Sequence, residues 1–208
     1  MKNLIIGKNS KIISKIKKNL YNFDYISNTE ISKTNLENYK YIYLFSWDFS
    51  SNKNNLENIN KIAGEKLIFI STVAVLSLQK RKQFQNYPNN KKLAEKKVLE
   101  KSGIILRLGV FNEYNFSNYF GNIPVTTYKM LTDFLNQNQI NKISIINLIN
   151  IKKSNLNFKS LLWKNFYNIS LIFPSIKIFQ LIFSGIPKIL GFKSYGYSAD
   201  SSEFFFTN

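Results

Sequence analysis

Two apolar runs separated by a polar helical segment constrain the fold of this chain more than any other feature. The first run ends in Ser71 and Thr72, and the second closes on Arg107. Between them, Tyr87 and Lys91 stand four residues apart at the start of the helical segment. Short apolar runs on either side of a helix predict buried parallel strands. The segment therefore predicts a β-α-β unit with two hydroxyl groups at the end of its first strand.

The spacing of Tyr87 and Lys91 suits acid–base chemistry. Four residues make about one helical turn, which places both side chains on one face of the helix. A tyrosine hydroxyl has an ordinary pKa of about 10, and a neighbouring ammonium group stabilises the phenolate. Ser71 or Thr72 could then hold a substrate oxygen against the tyrosine. The alternative is a surface tyrosine on a lysine-rich helix, because the chain holds 12 tyrosines and the spacing alone is weak support.

The composition limits the chemistry open to the chain. It has 208 residues, enough for one domain with a core, and contains neither cysteine nor histidine. Disulfides and thiolate catalysis are excluded, and the commonest metal ligand is missing, so we predict no metal site. Any acid–base catalysis must therefore use tyrosine, lysine or carboxylate side chains.

The formal net charge of +17 would normally indicate an anionic partner. However, all but two of the 29 basic residues are lysines, and asparagine and isoleucine are equally abundant, a pattern typical of an AT-rich genome. No RNA-binding aromatic motif or zinc spacing accompanies the charge. We therefore expect a solvated lysine surface and no nucleic-acid partner, with phosphate-bearing substrates and membrane lipid as the alternatives.

The N-terminal part of the chain predicts a parallel sheet. Residues 3–6 form a short apolar strand, Gly7 to Ser10 turn into a helix, and apolar runs over residues 21–27 and 41–46 predict two further strands. Strands that alternate with helices favour a parallel sheet covered on both faces, so we expect a Rossmann-type doubly wound α/β fold. Residues 142–151 predict one late strand.

Three segments resemble the short-chain dehydrogenase/reductase family, and within it the extended branch of sugar-nucleotide epimerases, dehydratases and reductases. Residues 66–75 resemble the family's fifth strand with its hydroxyl-bearing end, residues 87–95 its Tyr-x-x-x-Lys helix, and residues 105–109 the next strand. The resemblance implies a Rossmann-like dinucleotide-binding domain over residues 1–150. It also implies that one family strand and its helix are missing or vestigial between the second and third strands.

The resemblance assigns the catalytic roles. Thr72 falls at the family's catalytic Ser/Thr, with Ser71 beside it, and Tyr87 falls at the general acid/base. The resemblance gives Lys91 two roles: it lowers the pKa of the Tyr87 phenol, and it binds the hydroxyl groups of the nicotinamide ribose. The segment from Thr72 to Tyr87 is shorter than in most extended members, which implies a more open cleft. We interpret Arg107 as a structural residue at a strand end, with a phosphate contact as its alternative role.

The implied cofactor is NAD or NADP, without a preference. Its pyrophosphate needs a glycine-rich first turn, where backbone amides are bare and the helix packs close to the sheet. The family's Gly-x-x-Gly-x-x-Gly pattern falls on Gly7, Ser10 and Ile13, so only the first glycine is present. Two interpretations are open. Either the cofactor binds loosely or in a shifted pose, or the fold no longer binds the cofactor. The candidate cofactor-binding residues are Gly7, Asn9, Ser10, Lys11, Asn28, Ser46, Trp47 and Lys91.

Two strand ends complete the predicted cofactor site. The second strand ends in neutral polar residues, among them Asn28, and the acid Glu30 follows slightly later, at the point where such folds read the adenosine ribose. Ser46 and Trp47 end the third strand, where family members line the nicotinamide ribose. A core tryptophan is the alternative interpretation of Trp47.

Residues 151–208 are predicted to form a small apolar C-terminal lobe that closes the substrate cleft. The span 156–192 is apolar and aromatic, but Lys177, Gln180 and two prolines interrupt it, so we reject a transmembrane helix. The alternative to a buried lobe is an amphipathic anchor in peripheral contact with a membrane surface. No secretory signal opens the chain, so we expect a cytoplasmic protein, with the inner face of the membrane as the alternative location.

The resemblance implies an NAD(P)-dependent oxidoreductase or epimerase that acts on a nucleotide-activated sugar in surface-polysaccharide biosynthesis. The alternative is a catalytically degenerate family member that binds a sugar nucleotide, a membrane surface or a partner protein without turnover. Ile13 favours this alternative, and the intact Thr72, Tyr87 and Lys91 oppose it. A nucleotide sugar is the expected small-molecule partner, and the question of a homodimer is left open.

Overall fold

Six parallel strands form the main sheet of the computed structural model, which describes residues 1–76, 78, 86–111, 122–137, 140 and 143–153. The strands are β1 (Lys2–Ile6), β2 (Phe23–Ile26), β3 (Tyr39–Leu44), β4 (Leu67–Thr72), β5 (Ile104–Leu108) and β8 (Ile145–Leu148). Their order is β2-β1-β3-β4-β5-β8, and each neighbouring pair is parallel. This sheet has Rossmann-type topology and confirms the predicted fold class.

The helices are α1 (Lys11–Ile16), α2 (Asn52–Asn60), α3 (Asn86–Glu100) and α4 (Tyr128–Gln137). Two of them, α2 and α3, cover one face of the main sheet. The strand residues Leu4, Ile42 and Phe69 pack with Ile59 of α2 and Ala94 of α3 in one apolar core. All five side chains are buried, so this face supplies much of the hydrophobic stabilisation of the sheet.

Helices α1 and α4 cover the opposite face. The crossovers from β1 to β2 and from β3 to β4 run in opposite directions along the sheet, so right-handed connections place α1 and α2 on opposite faces. Helix α4 packs against α1, and the two helices bury Ile13 and Leu131. Neighbouring strand residues point to opposite faces, which makes the buried Ile5 and Ile68 part of this second face.

The connection from β2 to β3 is short. Residues 27–38 contain two 3₁₀ turns, Asn28–Lys33 and Leu36–Asn38, and no strand or α-helix. This confirms the prediction that one strand and its helix are missing or vestigial at this point.

The chain divides into two compact units. The first contains the six-stranded sheet and comprises residues 1–72, 90–108 and 127–148. The second comprises residues 73–89, 109–126 and 149–208. The predicted domain boundary at residue 150 stays a prediction.

A three-stranded sheet lies in the second unit. Strand β6 (Val110–Phe111) pairs in parallel with β7 (Asn122–Thr126), which pairs antiparallel with β9 (Asn150–Lys153). Residues 154–208 lie outside the described part of the chain, so the predicted C-terminal lobe and the span 156–192 stay predictions. Among the residues that are described, no helix is long and apolar enough to cross a membrane.

Candidate functional site

The carboxyl ends of β1 and β3 meet where the strand order reverses direction, because β2 lies on one side of β1 and β3 on the other. Ligands of open α/β sheets bind in the crevice at such a switch point. Gly7 opens the loop after β1 with a φ of 117°. A Cβ atom on Gly7 would come 2.9 Å from the backbone nitrogen of Ser46 and 3.2 Å from the carbonyl carbon of Phe45. Only glycine fits this turn without strain.

Replacing Gly7 by alanine should destabilise the fold, because the backbone near Ser46 must move and alanine is strained at this φ. We expect a loss of about 1–3 kcal/mol in the free energy of unfolding, measured by urea titration. Asn9 and Lys11, the exposed candidate cofactor residues of the same turn, offer a control. Asn9→Ala should leave the unfolding midpoint nearly unchanged, and a Gly7→Ala variant as stable as the wild type would contradict the strain.

Ser10 and Ile13 occupy the other two positions of the glycine pattern. Ser10 is the N-cap of α1, where its Oγ accepts a hydrogen bond from the Ile12 N–H at 3.3 Å. The Ser10 N–H donates to the Gly7 carbonyl at 2.9 Å. Ile13 is fully buried, so its side chain packs into the core. The branched side chain at the third position is therefore accommodated beneath the helix.

An ion pair joins the loops after β1 and β2. Lys8 Nζ lies 2.8 Å from Glu30 Oε2 and 3.1 Å from Glu30 Oε1. Glu30 Oε2 also accepts hydrogen bonds from the N–H and the hydroxyl of Ser27, both at 2.6 Å. Lys8 and Ser27 together lower the pKa of Glu30 to about 2. Glu30 is therefore ionised at neutral pH.

Asn28 follows Ser27 at the end of β2. Its side-chain oxygen Oδ1 is buried, and no residue in the described part of the chain donates a hydrogen bond to it. A buried acceptor without a donor costs about 1–3 kcal/mol, so this oxygen is suited to a ligand hydroxyl group. With the tight turn at Gly7, the acceptor at Asn28 fits a dinucleotide whose adenosine ribose lies at the end of β2.

Lys91 of α3 is buried near the ends of β3 and β4, with 5% of its surface exposed. Its Nζ donates to the Ile70 carbonyl at 2.8 Å. The ammonium also lies 4.0 Å from the ring centroid of Trp47 and 4.6 Å from that of Phe69. Burial lowers the pKa of Lys91 to about 7, although the negative charge of Glu95 opposes the shift. Lys91 can therefore gain or lose a proton near neutral pH.

The lowered pKa of Lys91 predicts a pH-dependent stability. Between the folded value of about 7 and the ordinary value of 10.5, the unfolded chain binds a proton that the folded chain does not. The free energy of unfolding at this group therefore rises with pH across that window. Lys91→Met should remove this rise, measured by urea unfolding at about pH 7 and about pH 9. Lys92→Met, on the exposed side of the same helix, should keep it. A Lys91→Met variant with the wild-type pH dependence would refute the assignment.

Trp47 is partly buried and packs against the apolar core. Its predicted place beside the nicotinamide ribose stays a prediction. Its ring centroid lies 6.0 Å from that of Phe69. Ser46 precedes it, and the Ser46 N–H donates to the Ile6 carbonyl at 3.1 Å. Because the Trp47 ring also contacts the Lys91 ammonium, two of the predicted cofactor residues meet at the switch-point end of the sheet.

Ser71, Glu95 and Arg107 form a buried polar cluster, called the Glu95 cluster here. Arg107 Nε donates to Glu95 Oε1 at 2.9 Å, and Arg107 Nη2 donates to Glu95 Oε2 at 2.7 Å. The Ser71 hydroxyl donates to Glu95 Oε1 at 2.8 Å. Glu95 and Arg107 are 1% and 6% exposed. The structural interpretation of Arg107 is confirmed, and the Ser71 hydroxyl is engaged by Glu95.

The sequence interpretation gave Glu95 no role of its own. A signal was present, because Glu95 lies four residues after Lys91 and thus on the same helix face. Arg107 is the only charged residue in its apolar strand run. A lone arginine in a buried strand requires an acidic partner nearby.

Thr72 and Tyr87 are the remaining predicted catalytic residues. Thr72 ends β4 with a partly exposed side chain, and it points to the face opposite Ser71 because neighbouring strand residues alternate. Tyr87 is the second residue of α3 and is partly exposed. It precedes Lys91 by four residues on this helix, as the spacing predicted. Thr72 belongs to the first compact unit and Tyr87 to the second, and their catalytic roles stay predictions.

Comparison with known proteins identifies the fold. No family model matches the chain, and no curated protein matches it either. Among solved structures, a short-chain dehydrogenase/reductase superfamily protein from Agrobacterium tumefaciens with bound NAD superposes with a TM-score of 0.53 at 8% identity, over 82% of this chain and 83% of that one. The dTDP-glucose 4,6-dehydratase from Bacillus anthracis, in complex with NAD, gives 0.52 at 12% identity, over 85% and 82%.

The capsular polysaccharide assembling protein CapF from Staphylococcus aureus is also similar, with a TM-score of 0.52 at 12% identity. The alignment covers 82% of this chain but only 59% of CapF, so the chain spans little more than half the length of that protein. Identities this low establish the fold and nothing finer. The chain thus has the Rossmann-type fold of the extended short-chain dehydrogenase/reductase structures.

Proposed function

We propose that this protein is an NAD(P)-dependent oxidoreductase or epimerase that acts on a nucleotide-activated sugar, in the assembly of a surface polysaccharide. The observation that carries the proposal is the buried Lys91, which contacts Trp47 at the switch point and follows Tyr87 by one helical turn. The proteins of similar structure include two with bound NAD, one of them a dTDP-glucose dehydratase, and a capsular polysaccharide protein.

The proposed dinucleotide site uses residues at the ends of β1, β2 and β3. The turn at Gly7 lets a pyrophosphate approach bare backbone, and Ser10 keeps a small side chain at the start of α1. The Asn28 oxygen would accept a hydrogen bond from a ribose hydroxyl. When bound, the nicotinamide supplies or accepts the hydride.

The proposed proton chemistry belongs to Tyr87. Its phenol would give or take the proton of the sugar hydroxyl, while the Thr72 hydroxyl would orient that oxygen. The positive charge of Lys91 would stabilise the phenolate of Tyr87. Because the pKa of Lys91 is lowered to about 7, its protonation state would respond to small changes of charge nearby. In this proposal Ser71 serves the Glu95 cluster, because its hydroxyl already donates to Glu95.

Two titrations test the proposal. The purified chain is first titrated with NADH and NADPH, following nicotinamide fluorescence and the melting temperature at physiological salt. It is then screened with UDP- and dTDP-sugars for a further rise in melting temperature and for turnover. Saturable dinucleotide binding with turnover of a sugar nucleotide is the expected result. A folded protein that binds neither dinucleotide would refute the proposal.

The second candidate function is binding without turnover. Ile13 favours it, because a side chain locked in the core replaces the glycine that brings helix and cofactor together. This candidate predicts that a sugar nucleotide raises the melting temperature with no conversion in the presence of either dinucleotide. Measured conversion would exclude it.

A further inference from the structure

Three exposed lysines form a stripe along α1 and the 3₁₀ turn that continues it, called the α1 lysine stripe here: Lys11, Lys15 and Lys18. Residues that are three or four apart lie on one face of a helix, so the three side chains share a face. Ile13 and Ile16, on the other side of the helix, are 0% and 1% exposed. The stripe therefore faces away from the sheet, and the buried isoleucines hold it in that orientation.

Acidic residues are absent from the sequence around this stripe. Residues 1–23 contain no Asp or Glu. No carboxylate in the described part of the chain forms a salt bridge with Lys11 or Lys18. Helices α2 and α3 differ, because each carries a lysine–glutamate pair on its exposed surface. Positive charge is therefore concentrated on α1 and partly compensated on the other two helices.

The neighbouring helix does not add to this charge. Helix α4 packs against α1, and its charged residues are one exposed lysine and one exposed aspartate, Lys129 and Asp133. Their charges are opposite, so α4 contributes no net charge to this face of the sheet. An anionic partner would accordingly be attracted to α1.

The chemistry of the stripe fits a surface with diffuse negative charge. Arginine, which forms bidentate contacts with single phosphate groups, does not occur on α1. Apart from its lysines, the exposed side chain of α1 is Ser14, so the helix offers no aromatic group on which a base could stack. A bilayer with anionic headgroups requires neither, and lysine clusters on amphipathic helices are typical of proteins that bind such bilayers.

We propose that the α1 lysine stripe is a docking surface for an anionic lipid bilayer. The helix is already folded and packed, so binding loses little conformational entropy. Each lysine close to an anionic bilayer strengthens binding about fivefold. The contact does not depend on dinucleotide binding, and the inference is therefore independent of the proposed function.

The test is co-sedimentation of the full chain with lipid vesicles at physiological salt, without dinucleotide. One set of vesicles contains phosphatidylcholine alone, and the other contains phosphatidylcholine mixed with the anionic phosphatidylglycerol. We expect binding to the anionic vesicles only. Binding should weaken as salt is raised, because the Debye length is already about 8 Å at physiological ionic strength and shortens further.

Two double variants with equal net charge locate the contact. Lys15→Gln with Lys18→Gln should weaken binding to the anionic vesicles about 30-fold. Lys11 is kept, because it belongs to the predicted cofactor turn. Lys61→Gln with Lys96→Gln is the matched control, since these exposed lysines end α2 and lie on α3, the helices that cover the opposite face of the sheet. The control should bind almost as tightly as the wild type.

The remaining outcomes overturn the inference. A wild-type chain that does not sediment with anionic vesicles has no such surface. Equal weakening of both double variants, each melting as the wild type does, would assign the binding to net charge alone. Equal binding to vesicles of phosphatidylcholine would indicate an apolar contact elsewhere. If the stripe variant lost binding to duplex DNA but kept binding to vesicles, the partner of the stripe would be nucleic acid.

Discussion

Tyr87→Phe should lower the turnover of a nucleotide sugar by about 10²- to 10⁴-fold, because it removes the hydroxyl that would carry the proton. Phenylalanine keeps the ring, so the start of α3 should keep its structure. Dinucleotide affinity should change little, since the phenol would act on the sugar rather than hold the cofactor. Steady-state kinetics with the sugar identified in the screen, together with NADH titration of the same variant, measure both effects.

Tyr21→Phe is the matched control for this prediction. Tyr21 is 73% exposed, and the substitution makes the same chemical change away from the predicted site. It should leave both turnover and affinity at wild-type values. If Tyr87→Phe retained full activity, the proton chemistry would have to be assigned to another residue. If it lost NADH binding as well, Tyr87 would be a cofactor contact.

Breaking the Glu95 cluster should cause the largest loss of stability. Glu95→Gln leaves the guanidinium of Arg107 buried with no countercharge, and removing one partner of a buried ion pair costs about 3–5 kcal/mol. Urea unfolding followed by tryptophan fluorescence measures the change. Asp24→Asn serves as the control, because it breaks an exposed pair with Lys2 of 2.9 Å, and such surface pairs contribute about 0.2–1 kcal/mol.

A double variant separates the ion pair from the space that it fills. Replacing Glu95 by leucine and Arg107 by methionine removes both charges and keeps apolar volume. Buried pairs replaced in this way are often neutral in stability, so much of the single-variant loss should be recovered. The Ser71 hydroxyl would then lose its acceptor, which limits the recovery by about 1 kcal/mol. A double variant as unstable as Glu95→Gln would mean that packing, and not the unpaired charge, causes the loss.

The sheet could be predicted because buried parallel strands are continuous apolar runs, which stand out in a lysine-rich chain. Strand β4 falls within the predicted span 66–75, and β5 matches 105–109 within one residue. The single strand predicted over residues 142–151 was wrong. It divides into β8 and β9, which belong to different sheets. Apolar periodicity shows that a segment is extended, but not where its pairing partner changes.

The site could be predicted only where the backbone imposes a residue type. Gly7 was recognisable because no other residue tolerates its φ and its approach to the third strand. The burial of Lys91 could not be recognised from the sequence. Lys91 and Lys92 are adjacent, and only the position of the helix against the sheet makes the first buried and the second exposed. The partner of Glu30 was missed for a similar reason. Lys8 and Glu30 are 22 residues apart, and parallel pairing of β1 with β2 brings the following loops together.

The short connection between β2 and β3 also affects how the protein behaves at high concentration. With no strand between them in the chain, β2 is the outermost strand of the described sheet. An outer strand can template edge-to-edge pairing with another molecule, the first step of aggregation. Strand β2 is only four residues long, and it carries Asp24, which is paired with Lys2 on the neighbouring strand. A short outer strand that carries an ion-paired carboxylate is a poor template for edge-to-edge pairing with another molecule.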